Sequence, residues 1–113
     1  MPRDWLYLID IVEAAKLAVS YLQGKTKADF LADTQCQDAV LRRLEIIGEA
    51  ARRISSGARE QLPQLPWQAM VGMRNVVIHE YDSVDLSIVW ETVRQDLPQL
   101  IVVIEKLLAR GSS

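Results

Sequence analysis

The chain carries a single histidine, His79, in the segment Gly72-Met73-Arg74-Asn75-Val76-Val77-Ile78-His79-Glu80-Tyr81-Asp82. Arginine, asparagine, histidine and tyrosine fall close together there in a mainly apolar stretch. Histidine titrates near neutral pH and so suits proton transfer. Arginine offers a rigid fork of donors that matches a phosphate. Together they suit phosphodiester chemistry: one group moves the proton, and the other stabilises charge on the non-bridging oxygens.

Helical geometry limits how these groups can meet. Asn75 and His79 are four apart and share a face, so the Asn75 amide can fix the imidazole tautomer. Arg74 and Tyr81, seven apart, share a face if the helix continues. Arg74 and His79, five apart, point in directions that differ by about 140° on a regular helix. Either the helix ends and His79 swings round, or a second subunit completes the site. Residue types alone also allow a packed or capping His79, a salt-bridged Arg74 and a Tyr81 at the edge of the core.

Other groups are less informative. Glu45, Glu49, Arg52 and Arg53 either present Arg52 and Arg53 to phosphates or form a solvated, ion-paired helix face; the second reading is the simpler. Cys36 stands near a helix start and reads as a buried structural thiol. Met70 and Met73 read as packing residues. One histidine and one cysteine make no zinc site by themselves. The sequence has no glycine-rich phosphate loop and no serine nucleophile elbow.

The elements that must position these groups are helical. Leu8, Val12, Ala15, Val19 and Leu22 form one stripe, stopped by Gly24. A short connection over 25–32, with at most one helical turn, leads to a second helix near Thr34. There Thr34 and Gln37 match a capping box. Its stripe is Val40, Leu44, Ile47, Ala51 and Ile54, ended by Ser55-Ser56-Gly57. Residues 58–65 form a break. Pro66 suits the entry to a third helix, from Trp67 to about His79. The last long helix begins after Ser83 or Asp85 and runs to about Leu108, with Leu86, Val89, Val93, Leu97, Leu100, Ile104 and Leu107 as its stripe. Pro98 inside it should kink the helix or free the carbonyl of Arg94. The expected fold is an all-α antiparallel bundle of four to five helices in one domain, 1–113. Ile9, Ile11, Ile46, Trp90 and Ile101 widen the apolar stripes. Either the core absorbs them or a second copy covers them.

Composition narrows the class. A chain of 113 residues with 50% hydrophobic and 25% charged residues is globular, not disordered. Its net charge of -2 excludes a polycation-style nucleic-acid binder, so any nucleic acid must be held at a local site. A lone cysteine fits a reducing compartment. No apolar run approaches the roughly 18 residues of a bilayer span, and Asp10 and Glu13 interrupt any signal-like start. The expectation is a cytoplasmic protein with no membrane partner.

The stretch Arg74-Asn75-Val76-Val77-Ile78-His79-Glu80-Tyr81 resembles the R-x4-H-x-Y motif of the HepT-like toxins, members of the HEPN superfamily that pair with MNT antitoxins. Trp67 precedes it in PWQAMVGMRN, DLSIVW follows it, and RRLEIIGEAARRI in the second helix is also similar to the family, so the resemblance covers nearly the whole chain. It implies a HEPN-type bundle, a homodimer and a metal-independent endoribonuclease of a type VII-like toxin–antitoxin system. In that picture His79 moves the proton and Arg74 holds the scissile phosphate, with attack by the ribose 2′-hydroxyl. Asn75 orients His79 or touches the phosphate. Tyr81 is the implied acceptor of AMP from a partner MNT nucleotidyltransferase. ATP and Mg²⁺ belong to that partner's reaction, and RNA cleavage needs no cofactor. The alternative is a non-catalytic nucleotide- or substrate-binding companion of a nucleotidyltransferase.

Overall fold

The computed structural model describes the backbone of residues 2–79 and 85–111 and the side chains of residues 3–74 and 85–110. Among the described residues every regular element is helical: α1 (Pro2–Tyr21), α2 (Lys27–Leu31), α3 (Thr34–Arg53), α4 (Ser56–Gln61), α5 (Trp67–His79), α6 (Leu86–Glu91), a π turn (Thr92–Asp96) and α7 (Leu97–Gly111). The expected all-α antiparallel HEPN-type bundle is the architecture found. α6, the π turn and α7 run on as one helix, so four long helices carry the fold, with α2 and α4 as short connectors.

α1 and α3 pack along their lengths. Leu8, Ile11, Val12, Ala15 and Ala18 of α1, with Leu22 just after it, are buried with Val40, Leu44, Ile47 and Ala51 of α3. Two contacts fix their opposite directions. At the start of α1, the buried Asp4 carboxylate accepts from the backbone N–H and hydroxyl of Ser55, at 2.8 and 2.9 Å. At the other end, the Cys36 thiol donates to the Tyr21 carbonyl at 3.8 Å. Cys36 is buried, as the sequence suggested. Gly24, at φ +76°, makes the expected stop after α1, a conformation that costs glycine little.

Local chemistry corrects two sequence expectations. Thr34 does not cap α3. Asp33 does, its extended backbone letting the carboxylate accept from Cys36 N–H at 3.0 Å. A carboxylate at this position satisfies an orphan donor and also complements the helix dipole. Gln37 turns back to donate to the carbonyls of Phe30 and Leu31, at 2.9 and 3.1 Å, at the end of α2. Nor do Ser55-Ser56-Gly57 simply end a helix. α3 closes at Arg53, and Ser55 then caps α4 by accepting from Ala58 N–H.

The last helix starts where expected, with Asp85 accepting from Ser87 N–H at 2.9 Å. Pro98 has no N–H to give the carbonyl of Arg94. The backbone answers with a π turn just before it, in which Leu97 N–H donates to Thr92 C=O. Trp90 faces Phe30 with ring centroids 5.9 Å apart, and the Arg94 guanidinium lies 5.3 Å from the Trp90 ring. The core absorbs Ile11 and Trp90 outright, while Ile9, Ile46 and Ile101 are half-buried. Exposed Leu6, Leu17, Leu31, Ile88 and Val102 are spread over four helices. Among the described residues no helix is long and apolar enough to cross a membrane.

The Asp33 cap carries a pH signature. The Cys36 backbone N–H, and after it Lys25, holds this carboxyl below its ordinary value. A depressed carboxyl stabilises the fold fully above about pH 4 and progressively less as pH falls below that. Asp33→Ala is therefore expected to lower the melting temperature at pH 7, with the difference from the parent shrinking between pH 4 and pH 2. An equal difference at both ends of that range would remove the charge from the explanation.

Candidate active site

The motif helix α5 is held at its start by α4. Arg59 donates to the carbonyls of Ala51, Arg52 and Ile54, at 2.8, 3.0 and 3.2 Å, satisfying the C-terminal end of α3. The same guanidinium lies 5.7 Å from the Trp67 ring, whose Nε1–H donates to Leu62 C=O at 2.9 Å. One cation thus joins the end of α3 to the beginning of α5. Pro66 stands just before α5, and its carbonyl accepts from Met70 N–H at 3.0 Å. Met70 is fully buried and Met73 half-buried, the packing roles expected of them.

About two turns beyond Trp67, α5 meets α3 at Arg74. A Cβ placed on Gly48 would lie 2.4 Å from Arg74 Cβ and 2.5 Å from its backbone nitrogen. The two helices touch there with no side chain between them on the α3 side. Arg74 is half-buried, and its Nε is shut off from solvent with no hydrogen-bond partner among the described residues. Among the described residues it has no salt-bridge partner. Arg43 on α3, also half-buried, has a second unpartnered Nε. Native proteins satisfy nearly all such buried donors, so each one that is not invites an explanation.

The carboxylates beside Gly48 are already engaged. Glu45 pairs with Arg42, and Glu49 with Arg53 at 3.4 Å. The α3 surface is largely the ion-paired, solvated face expected for it. Arg52 and Arg53 are both exposed, and Arg52 lies one turn beyond Gly48. The structure thus brings α3 to Arg74, and the acids next to Gly48 in sequence are paired with arginines of their own helix. The backbone is helical through His79, so positions 74 and 79 remain about 140° apart around α5. The side chains of Asn75 and His79, and the whole of Tyr81, lie outside the described residues. Among the described residues no three His, Cys, Asp or Glu side chains gather as a metal site.

Gly48 was missed as a close-approach position by sequence reading. A glycine inside an amphipathic helix costs about 1 kcal/mol relative to alanine, and that cost is itself a signal of close approach.

A family model described as "Ribonuclease HepT-like" matches residues 11–107, from the middle of α1 into α7. The chain belongs to the HepT-like ribonuclease family. A HepT-like relative from Thermococcus cleftensis, named "Probable ribonuclease HepT", is 43% identical over 101 residues, covering 89% of this chain and 92% of that protein. A Methanocaldococcus jannaschii protein whose name joins gamma-glutamylcyclotransferase to an RNase assignment is 40% identical over 103 residues, covering 91% of this chain and 46% of the relative. The chain therefore spans about half the length of that relative. A third relative, from Caldanaerobacter subterraneus and also carrying an RNase assignment, is 34% identical over 104 residues, covering 92% of this chain and 93% of the other. No solved structure matches the chain significantly.

Hydrogen bonds from a charged donor contribute about 1.5–3 kcal/mol. Because Arg59 makes three to the end of α3, Arg59→Ala is expected to lower unfolding free energy by at least that much. Urea unfolding followed by circular dichroism checks it. A loss below about 0.5 kcal/mol, the usual range of a surface change, would mean Arg59 does not hold this junction.

Proposed function

We propose that this HepT-like chain is a metal-independent endoribonuclease, the toxin of a type VII-like toxin–antitoxin pair, acting in the cytoplasm as one HEPN domain over 1–113. The observation that carries the reading is Arg74. It stands at the motif position of a ribonuclease family, backed by α3, with a buried guanidinium nitrogen that no described residue accepts from. With its Nε enclosed the side chain is held in place, and the rest of the guanidinium fork suits a phosphate oxygen.

In the proposed reaction the ribose 2′-oxygen attacks the adjacent phosphorus. The bond from phosphorus to the 5′-oxygen breaks, leaving a 2′,3′-cyclic phosphate and a 5′-hydroxyl. One proton leaves the 2′-hydroxyl and one reaches the departing 5′-oxygen. His79 moves protons, Arg74 holds the scissile phosphate, and Asn75 orients His79. The requirement for a 2′-hydroxyl confines the reaction to RNA. Because α5 stays helical through His79, one subunit separates positions 74 and 79, and a homodimer supplies a cleft lined by two motif helices. Two histidines, one per subunit, then offer both a base and an acid. Arg52 would border that cleft and meet flanking phosphates, and Arg53 would do so by exchanging its exposed Glu49 partner for one, which supplies locally what a net charge of -2 does not.

Control falls to Tyr81. A partner MNT nucleotidyltransferase would transfer AMP from ATP, with Mg²⁺, onto its hydroxyl. The phenolic oxygen attacks the α-phosphorus, the proton is lost, and pyrophosphate leaves. The added phosphate beside Arg74 would compete for the donors and repel RNA.

Arg74→Ala and His79→Ala are each expected to cut RNA cleavage by at least about 10²-fold, in keeping with loss of a proton-transfer or charge-stabilising group, while circular dichroism stays unchanged. Parent-like cleavage by either variant would remove that residue from catalysis. A well-folded parent that binds RNA and cleaves none would favour the binding-companion reading. Incubation with the partner, ATP and Mg²⁺ is expected to add AMP-sized mass to the parent and none to Tyr81→Phe. The same adduct on Tyr81→Phe would assign the acceptor elsewhere.

A further inference from the structure

We propose that Gly48 is the positioning residue of the site: its missing side chain lets Arg74 seat directly on the α3 backbone and so sets where the guanidinium stands. The inference rests on the role proposed for Arg74 and adds a residue on a different helix. Arg74 Cβ, Cα and backbone nitrogen all lie within 3 Å of where a Cβ on Gly48 would be, at 2.4, 2.9 and 2.5 Å. Two of these atoms belong to the backbone of α5, so a rotamer change cannot relieve the overlap. Any side chain at position 48 must push the helices apart or slide one along the other.

The consequence falls on Arg74 first. With its Cβ against α3, the side chain of Arg74 starts from a fixed point on that helix, and its Nε is enclosed. Enclosure removes freedom from a side chain that is otherwise among the most mobile. The flanking acids, Glu45 and Glu49, are tied to Arg42 and Arg53. Among the described residues Arg74 has no counter-ion, and its backbone contact with α3 is what fixes its start. Fixing a phosphate-binding group by backbone contact is a form of preorganisation, and a displacement of about 1 Å can cost about 10²-fold in rate.

Gly48→Ala is the direct test, read by three measurements. Cleavage normalised to folded protein is expected to lose about 10²-fold in kcat with KM changed far less. The Arg74 Nε–H proton, assigned by its loss in Arg74→Lys, is expected to exchange slowly with water in the parent and fast in Gly48→Ala. Ile104→Val, a core truncation on α7 away from this contact, is expected to lower the melting temperature while leaving kcat and the Arg74 signal as in the parent. A folded Gly48→Ala with parent kcat, or with an unchanged Arg74 signal, overturns the proposal. So does an Ile104→Val that loses kcat equally. Should Gly48→Ala fail to fold, the parent decides: a nuclear Overhauser contact between Gly48 Hα and Arg74 Hβ supports the seating, and its absence overturns it. A parent that shows this contact and the slow proton but cleaves no RNA refutes the nuclease reading while leaving the seating of Arg74 in place.

Discussion

The approach of α3 to α5 at Gly48 is the constraint around which the rest of this structure is arranged. Two helices meet backbone against side chain only if one of them gives up a Cβ, and here α3 gives it up at the level of Arg74. Such a contact must be defended from elsewhere, because glycine weakens the helix that carries it. α3 is defended along its other face by α1, through the buried row of Val40, Leu44, Ile47 and Ala51. Its ends are defended by charge: Asp33 satisfies the first turn and Arg59 the last. Because Arg59 also lies against Trp67, it ties the end of α3 to the entry of α5. The position of Arg74 thus depends on a cap and a gap in α3 and on a bridge from α4.

The long helices were legible in the sequence because burial imposes a period that no local detail disturbs. Each stripe position named for α3 is buried, and so are all those of the last helix except half-buried Leu86. The misreadings lie where several local solutions compete. Asp33 and Thr34 are both able caps, and only the approach of the chain to Phe30 and Leu31 draws Gln37 away from the box it would form with Thr34. Pro98 announces a lost hydrogen bond, yet a kink, a free carbonyl and a π turn all answer that loss. The π turn keeps Val93 and Leu97 fully buried. For the site, the motif residues were legible as chemistry, and Gly48 was not, since a glycine's purpose lies in its neighbour on another helix. Nothing in local spacing names that neighbour.

Charge follows the same division between what is summed and what is placed. A chain with thirteen basic and fifteen acidic residues has no attraction for RNA as a whole. Attraction at a point needs a cation whose field is not cancelled nearby, and pairing decides that more than number does. Arg42 and Arg53 are spent on Glu45 and Glu49. Those exposed pairs contribute little to stability. Their effect is to leave the face of α3 with little net charge of its own.

An arginine held this way differs from one held by a carboxylate. A salt-bridged arginine must exchange its partner for the substrate, and the exchange subtracts from binding. Arg74 bears its cost in advance, as an enclosed Nε with no acceptor among the described residues. A buried donor left unpaired destabilises a fold by about 1–3 kcal/mol, and a packed core on both sides of α3 can sustain that. That cost is concentrated at Arg74, the arginine of the motif.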